Sequence, residues 1–557
     1  MEKLNGALQL ETRCISSLIK VFADEELLAA AVTRGSALLG ESYSFQVAYR
    51  TDVLMRQLQV RVESELEQVL TVRTVELVPA NMVSYHDADE YVLRSTPGLY
   101  PDALIPFDAS RGLTGYPSQW RSLWITVEVP MDAKAGLFDI RIYLINDSGE
   151  QVGEETFTLE VIAAALPEQS LIHTEWFHVD CLATYYKTDV FSEYHWHLIE
   201  QYIQTAVKHG MNMILTPLFT PPLDTEIGGD RPTVQLVQVE CVGDDYRFTF
   251  EKLKRWIALC DRSHVKYFEF SHLFTQWGAK HAPKVVATVD GQEKQLFGWD
   301  TDSKDSEYTE FLTLFLHELV SFIKENGLEK RVYFHLSDEP NLADMDTYRA
   351  ASELIGPILE GFPIIDALSE YEFYESGLIK HPIPASNAIQ PFLEHGVEGL
   401  WSYYCCAQYK LVSNRFLHMP SSRNRVLGMQ LYKLKLAGFL HWGYNFWYAQ
   451  FSKYPINPFQ VTDAGGGFPA GDAFLVYPGA EGPIESIRLE VLTEALQDLR
   501  ALELLERSTS REAVIALLED GLEQELSFEA YPRETEWYIR KREEINRLIG
   551  EHAKAEQ

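Results

Sequence analysis

The chain has little positive charge for its acid content, few cysteines and no long apolar run. Lysine and arginine number 48 against 82 aspartates and glutamates, a formal net charge of −34. Such a field repels phosphate backbones and anionic lipid headgroups within a Debye length, which argues against a nucleic-acid partner. No stretch reaches the roughly 18 apolar residues of a membrane span, and the opening "MEKLNGALQLETRC" has no apolar core of signal-peptide length. The expectation is a cytoplasmic protein that does not bind membranes. The six cysteines, Cys14, Cys181, Cys241, Cys260, Cys405 and Cys406, are too sparse for a disulfide framework and lack zinc-knuckle spacing. They read as reduced thiols. The vicinal pair Cys405 and Cys406 reads as strand-end packing, with a redox switch as the sharper alternative. The glycine run 465–467 follows no phosphate-loop pattern and lacks its lysine. No metal or cofactor is implied.

What the chain does have is length, core and aromatics. Its 557 residues, 46% hydrophobic and 12% aromatic, exceed one ordinary domain and can bury two or three cores. Over residues 1–166, segments such as "SYSFQVAYR", "LQVRVES", "SLWITVEVP", "FDIRIYLIN" and "ETFTLEVIA" alternate apolar and polar with period two. That pattern predicts an antiparallel β-sandwich. Pro167, in "AAALPEQS", marks a boundary.

From there to residue 485 the rhythm changes to short strands parted by amphipathic helical stretches. Eight candidate strands can be counted: "LIHTEWFHVD", "MNMILTPLF", "VKYFEFSHLF", "RVYFHLSDEP", "GFPIIDALSE", "NAIQPFLE", "GLWSYYCC" and "GFLHWGYNFW". They predict a (β/α)8 TIM-like barrel over 167–485, with seven strands or an open sheet as alternatives. Residues 486–557 read as helices whose apolar stripes are expected to pack on the barrel flank.

A barrel of this kind places its active site at the C-terminal strand ends. Polar and aromatic residues crowd there: His178 and Asp180, His272, Asp338 and Glu339, Asp366 and Glu370, Tyr403 and Tyr404, and Trp442 with Asn445 and Trp447. Within "VYFHLSDEP", Asp338 and Glu339 start on opposite sides of a strand and share a site only where Pro340 ends it. Pro340 is also expected to hold Glu339 extended. Two neighbouring carboxyls in a partly dry cleft resist ionising together, so one stays protonated and serves as a general acid.

That chemistry suits glycosidic cleavage. Adjacent acids are poorly placed for the usual retaining pair, which faces the anomeric carbon from different strands. The alternative is that Glu339 is the acid and the substrate's own 2-acetamido carbonyl is the nucleophile, oriented by Asp338. Helix capping by the acid pair is the plain structural reading. The seventh strand offers no acid but does offer Tyr403 and Tyr404, while Asp366 and Glu370 keep a protein nucleophile open. Trp442, Asn445, Trp447, His272 and His178 are candidate sugar contacts, since a pyranose presents an apolar face and hydroxyls. Trp176, Trp277, Trp299 and Trp401 divide between rim and core. "HTEWFHVD" has loose spacing for a metal, and His195 and His197 do not face each other on a helix.

Several segments resemble glycoside hydrolase family 123 and the wider group known as domain of unknown function 4091: "GLYPDALIPF", "SLWITVEVPMDAKAGLF", "HLSDEP", "GFLHWGYNFW", "GDAFLVYPG" and "PIESIRLE", in family order. After "SIRLE" the chain departs, reading "VLTEALQDLR" where the family often has an arginine-aspartate-glycine run. The resemblance implies an exo-acting β-N-acetylgalactosaminidase with a retaining, substrate-assisted mechanism on a barrel preceded by a β-sandwich. It implies Asp338 as the acetamido-orienting residue, Glu339 as acid/base, and an oligosaccharide or glycoconjugate with terminal β-GalNAc as substrate. A retaining glycosidase on a 2-hydroxy sugar and a catalytically inactive carbohydrate-binding protein are the alternatives.

Overall fold

The computed structural model describes residues 10–243 and 245–555. The chain divides into two compact units: Met1–Ser170 with Ser413–Leu434 and Ile484–Gln557, and Leu171–Val412 with Lys435–Pro483.

In the first unit, two five-stranded sheets share one apolar core. One runs Leu10–Ser16, Ser42–Thr51, Arg121–Glu128, Leu70–Ala80, Gly98–Pro106; the other Arg34–Leu39, Gln151–Ala165, Gly136–Ile145, Met55–Glu63, Leu113–Gly115. Phe45 from one sheet stacks on Phe157 from the other at 4.1 Å, amid Val47, Ile125, Ile142 and Leu159. Such a ring pair adds about 0.5–1.5 kcal/mol beyond its area. The antiparallel expectation has one exception among the described pairs: Gln151–Ala165 runs parallel to Arg34–Leu39.

The C-terminal helices, expected against the barrel, fall in this same unit. Ser42–Thr51 is buried over six consecutive residues rather than on alternate ones, and the helix Ile487–Ser508 meets it. Gln497 exchanges two hydrogen bonds with the Ser42 backbone, both 2.8 Å, and Arg488 forks onto Asp102 at 2.8 and 3.0 Å. In the helix Thr535–Ala555, Arg542 reaches Glu41 at 2.7 Å.

The second unit is built on eight parallel strands: β1 (Ile172–Glu175), β2 (Met213–Thr216), β3 (Tyr267–Phe270), β4 (Val332–His335), β5 (Ile364–Leu368), β6 (His381–Pro384), β7 (Trp401–Tyr403) and β8 (Gly438–His441). Their order in the sheet, 6-5-4-3-2-1-8-7, is cyclic. The barrel is nearly closed, β6 and β7 meeting through the Ala385–Tyr403 bridge and the Ser386 N–H to Tyr403 O bond of 2.8 Å. The weak seam has a chemical cause. Ala385 N–H bonds back to Leu368 of β5, so the even-numbered residues face β7, and two of these are Pro382 and Pro384, which have no N–H to give.

Those prolines also explain a correction. "NAIQPFLE" is not the sixth strand: Gln390–Glu394 is a helix with Pro391 in its first turn, and the strand is the preceding "HPIP". The connections after β2 and β3 are long and add a four-stranded sheet of Asp245–Thr249, Gln238–Val242, Val285–Val289 and Gln292–Phe297. Among the described residues no helix is long and apolar enough to cross a membrane.

Candidate active site

A cavity of about 280 Å³ opens at the C-terminal strand ends, lined by Asp338, Glu339, Tyr403, Asp224, Gln276 and Gln450 among polar residues and by Trp176, Trp277, Trp442, Phe451 and Phe468 among aromatics. The segment after β4 is laced into its neighbours. The Trp277 N–H donates to Asp338 O at 2.8 Å, the Glu339 N–H to Ala367 O at 3.1 Å, and the Ser337 hydroxyl to Thr275 O at 2.7 Å. These bonds fix both acids from the loop after β3 and from strand β5.

Glu339 corrects one expectation. Its φ is +44°, so it is not held extended by Pro340. A left-handed side-chain-bearing residue before proline is costly, on the order of 1–3 kcal/mol. Asp224, Trp277 and Phe451 share this conformation, with φ of 38°, 61° and 60°. Four strained residues around one cavity indicate a geometry that the surrounding packing enforces.

The Tyr403 hydroxyl donates to Glu339 Oε1 at 2.7 Å. Burial pushes the Glu339 carboxyl up, Tyr403 opposes that, and Glu370 adds to it. Burial likewise pushes Asp338 well above the usual carboxylate range, with Glu339 next in effect; His335 pulls the other way. The pair resists double ionisation, as a general acid beside a carboxylate requires.

Below the pair lies a second layer of charge. His335 Nε2 meets Glu269 Oε1 at 2.6 Å, and its Nδ1 lies 3.7 Å from Asp366 Oδ1. Trp176 Nε1 donates to Glu269 Oε1 at 2.8 Å, and Tyr348 donates to Asp366. Asp366 is thus engaged by His335 and Tyr348, and neither it nor Glu370 lines the cavity.

Of the other candidates from the sequence, Trp442 lines the cavity with its indole N–H anchored on Asp472 at 2.9 Å. Asn445, Trp447, Tyr404, His272 and His178 do not line it. Asn445 clamps the His178 backbone through bonds of 2.8 and 3.1 Å. His178 lies between the Trp442 carbonyl and Arg231, its pKa lowered to about 3 by burial and then by that guanidinium. Trp447 packs on Tyr185 and Tyr202, and Tyr404 on Phe439 and His441. His272 stacks on His335 at 4.2 Å. The residues of "HTEWFHVD" are engaged by protein groups: His173 with Glu175 at 3.1 Å, Asp180 with Arg231 at 2.7 Å. Trp277 and Trp176 lie at the cavity; Trp401 packs in the barrel core, and Trp299 against His281.

Asp224 escaped the sequence reading, as did Gln276 and Gln450. Asp224 Oδ2 accepts the Phe451 N–H at 2.9 Å, its own N–H donates to Gln276 Oε1 at 2.9 Å, and burial raises its pKa to about 6. The three come from the loops after β2, β3 and β8. The sole hint was "FTPPLD", an acid shortly after a strand end.

The family model for the glycoside hydrolase 123 catalytic domain matches residues 176–505. The chain belongs to glycoside hydrolase family 123. Its fold is similar to that of a family 123 glycoside hydrolase from Clostridium perfringens, solved in a study of glycolipid glycan hydrolysis, with TM-score 0.74, 17% identity and 98% of each chain covered. An endo-β-1,4-mannanase from Thermotoga petrophila matches more distantly, at TM-score 0.34 and 11% identity over 60% of this chain and 77% of that one. No curated protein matches the chain. As a family 123 member it is a glycoside hydrolase acting on glycans.

Proposed function

We propose that this family 123 enzyme is a retaining exo-β-N-acetylgalactosaminidase, acting on terminal β-GalNAc of an oligosaccharide or glycoconjugate through an oxazolinium intermediate. Glu339 protonates the glycosidic oxygen and later activates water. Asp338 orients the acetamido group and balances the charge of the ring that its carbonyl forms at C1. Trp442 and the other cavity aromatics offer faces for stacking the sugar.

One observation carries this reading. Asp338 and Glu339 line one cavity side by side, with Tyr403 bonded to Glu339, while Asp366, the candidate protein nucleophile, lies outside it on His335 and Tyr348. A nucleophile from the substrate then meets the requirement that adjacent acids cannot. The cysteines form no disulfide among the described residues, in keeping with a cytoplasmic site of action.

The test is hydrolysis of 4-nitrophenyl β-glycosides of GalNAc, GlcNAc, galactose and glucose, with and without a thiazoline that mimics the oxazoline. Release from GalNAc alone, blocked by the thiazoline, is the expected result. Release only from sugars lacking the acetamide would overturn it and move the nucleophile to Asp224, the further carboxylate lining the cavity.

A further inference from the structure

We propose that Asp224 is a specificity-determining residue for this reaction: its open carboxylate oxygen accepts a hydrogen bond from a hydroxyl of the bound sugar. This rests on the functional reading above and adds what the acid pair does not supply, a group that reads the sugar away from C1 and C2.

Asp224 lies in the loop after β2 and lines the same cavity as Asp338 and Glu339. Three bonds from two other loops hold it there. Its N–H donates to Gln276 Oε1 at 2.9 Å, the Phe451 N–H donates to its Oδ2 at 2.9 Å, and the Ser452 hydroxyl donates to its carbonyl oxygen at 2.7 Å. The backbone so held is left-handed, with φ of 38°. The other carboxylate oxygen, Oδ1, makes no hydrogen bond among the described residues, and the residue is only partly buried, so this oxygen is open. Gln276, which is 5% exposed, also keeps a buried Nε2 with no partner among the described residues. A strained, fixed carboxylate with one oxygen unmet costs folding free energy, and a ligand hydroxyl is what would meet it.

Charge and chemistry narrow what it binds. Burial lifts the Asp224 pKa to about 6, while the Phe451 N–H and Arg231 pull the other way. Arg231 is itself paired with Asp180 at 2.7 Å. At neutral pH the group is therefore a carboxylate, which only accepts hydrogen bonds. In the substrate-assisted reading Glu339 takes the glycosidic oxygen and Asp338 the acetamido group, and the ring oxygen has no proton to give. That leaves a hydroxyl at C3, C4 or C6. A site built to bond a hydroxyl rejects the sugar that lacks it.

The experiment is a binding titration that needs no turnover. Trp176, Trp277 and Trp442 line the cavity, so tryptophan fluorescence reports a sugar entering it. The wild-type chain and Asp224→Asn are titrated with GalNAc and with its 3-deoxy, 4-deoxy and 6-deoxy analogues. Asparagine keeps an oxygen for the Phe451 N–H and puts an amide donor where Oδ1 was, so the loop stays fixed while the acceptor is lost. Asp224→Asn is expected to bind GalNAc about 10–100-fold more weakly, with a urea midpoint close to that of the wild type. One deoxy analogue should bind both proteins equally, because the bond is missing from each. Equal losses on all four sugars, or no loss, would overturn the proposal. Should the variant not fold, the wild-type affinities decide: three deoxy analogues that bind as tightly as GalNAc would overturn it too. So would azide rescue of Asp224→Ala, with an α-glycosyl azide formed as 4-nitrophenolate leaves, since Asp224 would then be the nucleophile. If galactose binds and GalNAc does not, the GalNAc assignment fails and the deoxy galactoses carry the same test. The expected binding pattern without hydrolysis of any glycoside would count against the catalytic reading alone.

Discussion

Asp338 and Glu339 need opposite charge states, and one atom on Glu339 shows how finely these are set. Oε1 accepts the Tyr403 hydroxyl, a bond that favours the carboxylate and so lowers the Glu339 pKa against the rise imposed by burial. Tyr403→Phe removes that bond. Glu339 then keeps its proton to higher pH, so the alkaline limb of the pH–rate profile should move up while kcat falls about 10-fold from lost orientation. An alkaline limb that stays in place or moves down would show that Tyr403 serves another group. Glu339→Gln removes the acid itself and should cost about 10²–10⁴ in kcat on a poor leaving group, with less loss on 4-nitrophenolate. Asp338→Asn should be nearly as damaging on both, because the charge it supplies acts on the sugar ring rather than the leaving group. Near-normal rates for Asp338→Asn would end the substrate-assisted reading.

At the scale of elements, the site depends on loops pinned to one another. Gly443, just past β8, has room for no side chain: a Cβ there would lie 2.5 Å from Ala473 O and 3.0 Å from Asp472 O, both backbone. Gly443→Ala must push away the segment that carries Asp472, the anchor of the Trp442 indole. The expected outcome is a loss of about 1–3 kcal/mol in stability and a raised KM, seen by urea titration and by kinetics. Unchanged KM would mean that Trp442 does not contact the sugar. This same dependence on loops sets what could be read beforehand. Seven of the eight barrel strands were legible, because short apolar runs ending in acids or aromatics announce themselves. The sixth was not, since Pro382 and Pro384 mark it as anything but a strand. Asp338, Glu339, Tyr403 and Trp442 were legible as strand-end residues. Asp224, Gln276 and Gln450 were not, because no periodicity links loops that lie 52 or more residues apart in sequence yet meet at Asp224. The conformation of Glu339 ran against the local rule for a residue before proline, which only the surrounding bonds could override.

At the scale of the whole molecule, the first unit is assembled from three stretches of chain, and its buried charges are paired across them. Asp102 is paired with Arg488, Arg73 with Glu490 at 2.6 Å, and Glu41 with Arg542 at 2.7 Å, each partner coming from beyond residue 485. The apolar stripes of the C-terminal helices suggested packing but not this pairing, since ion pairs more than 380 residues apart leave no local trace. Removing one member of a buried pair costs about 3–5 kcal/mol, because the other stays buried and uncompensated. Arg73 would still meet Glu485 in a chain ending at residue 485, but Asp102 and Glu41 would lose these arginines, and two such losses already reach into the 5–15 kcal/mol that holds an ordinary domain folded. A chain ending at residue 485, where the sequence alone would place a domain boundary, should therefore be insoluble or lack a cooperative unfolding transition. Arg542→Ala in the full chain should stay folded with a urea midpoint lowered by an amount worth about 3–5 kcal/mol. A soluble truncated chain with native circular dichroism would show that the sheets hold these charges without their helices.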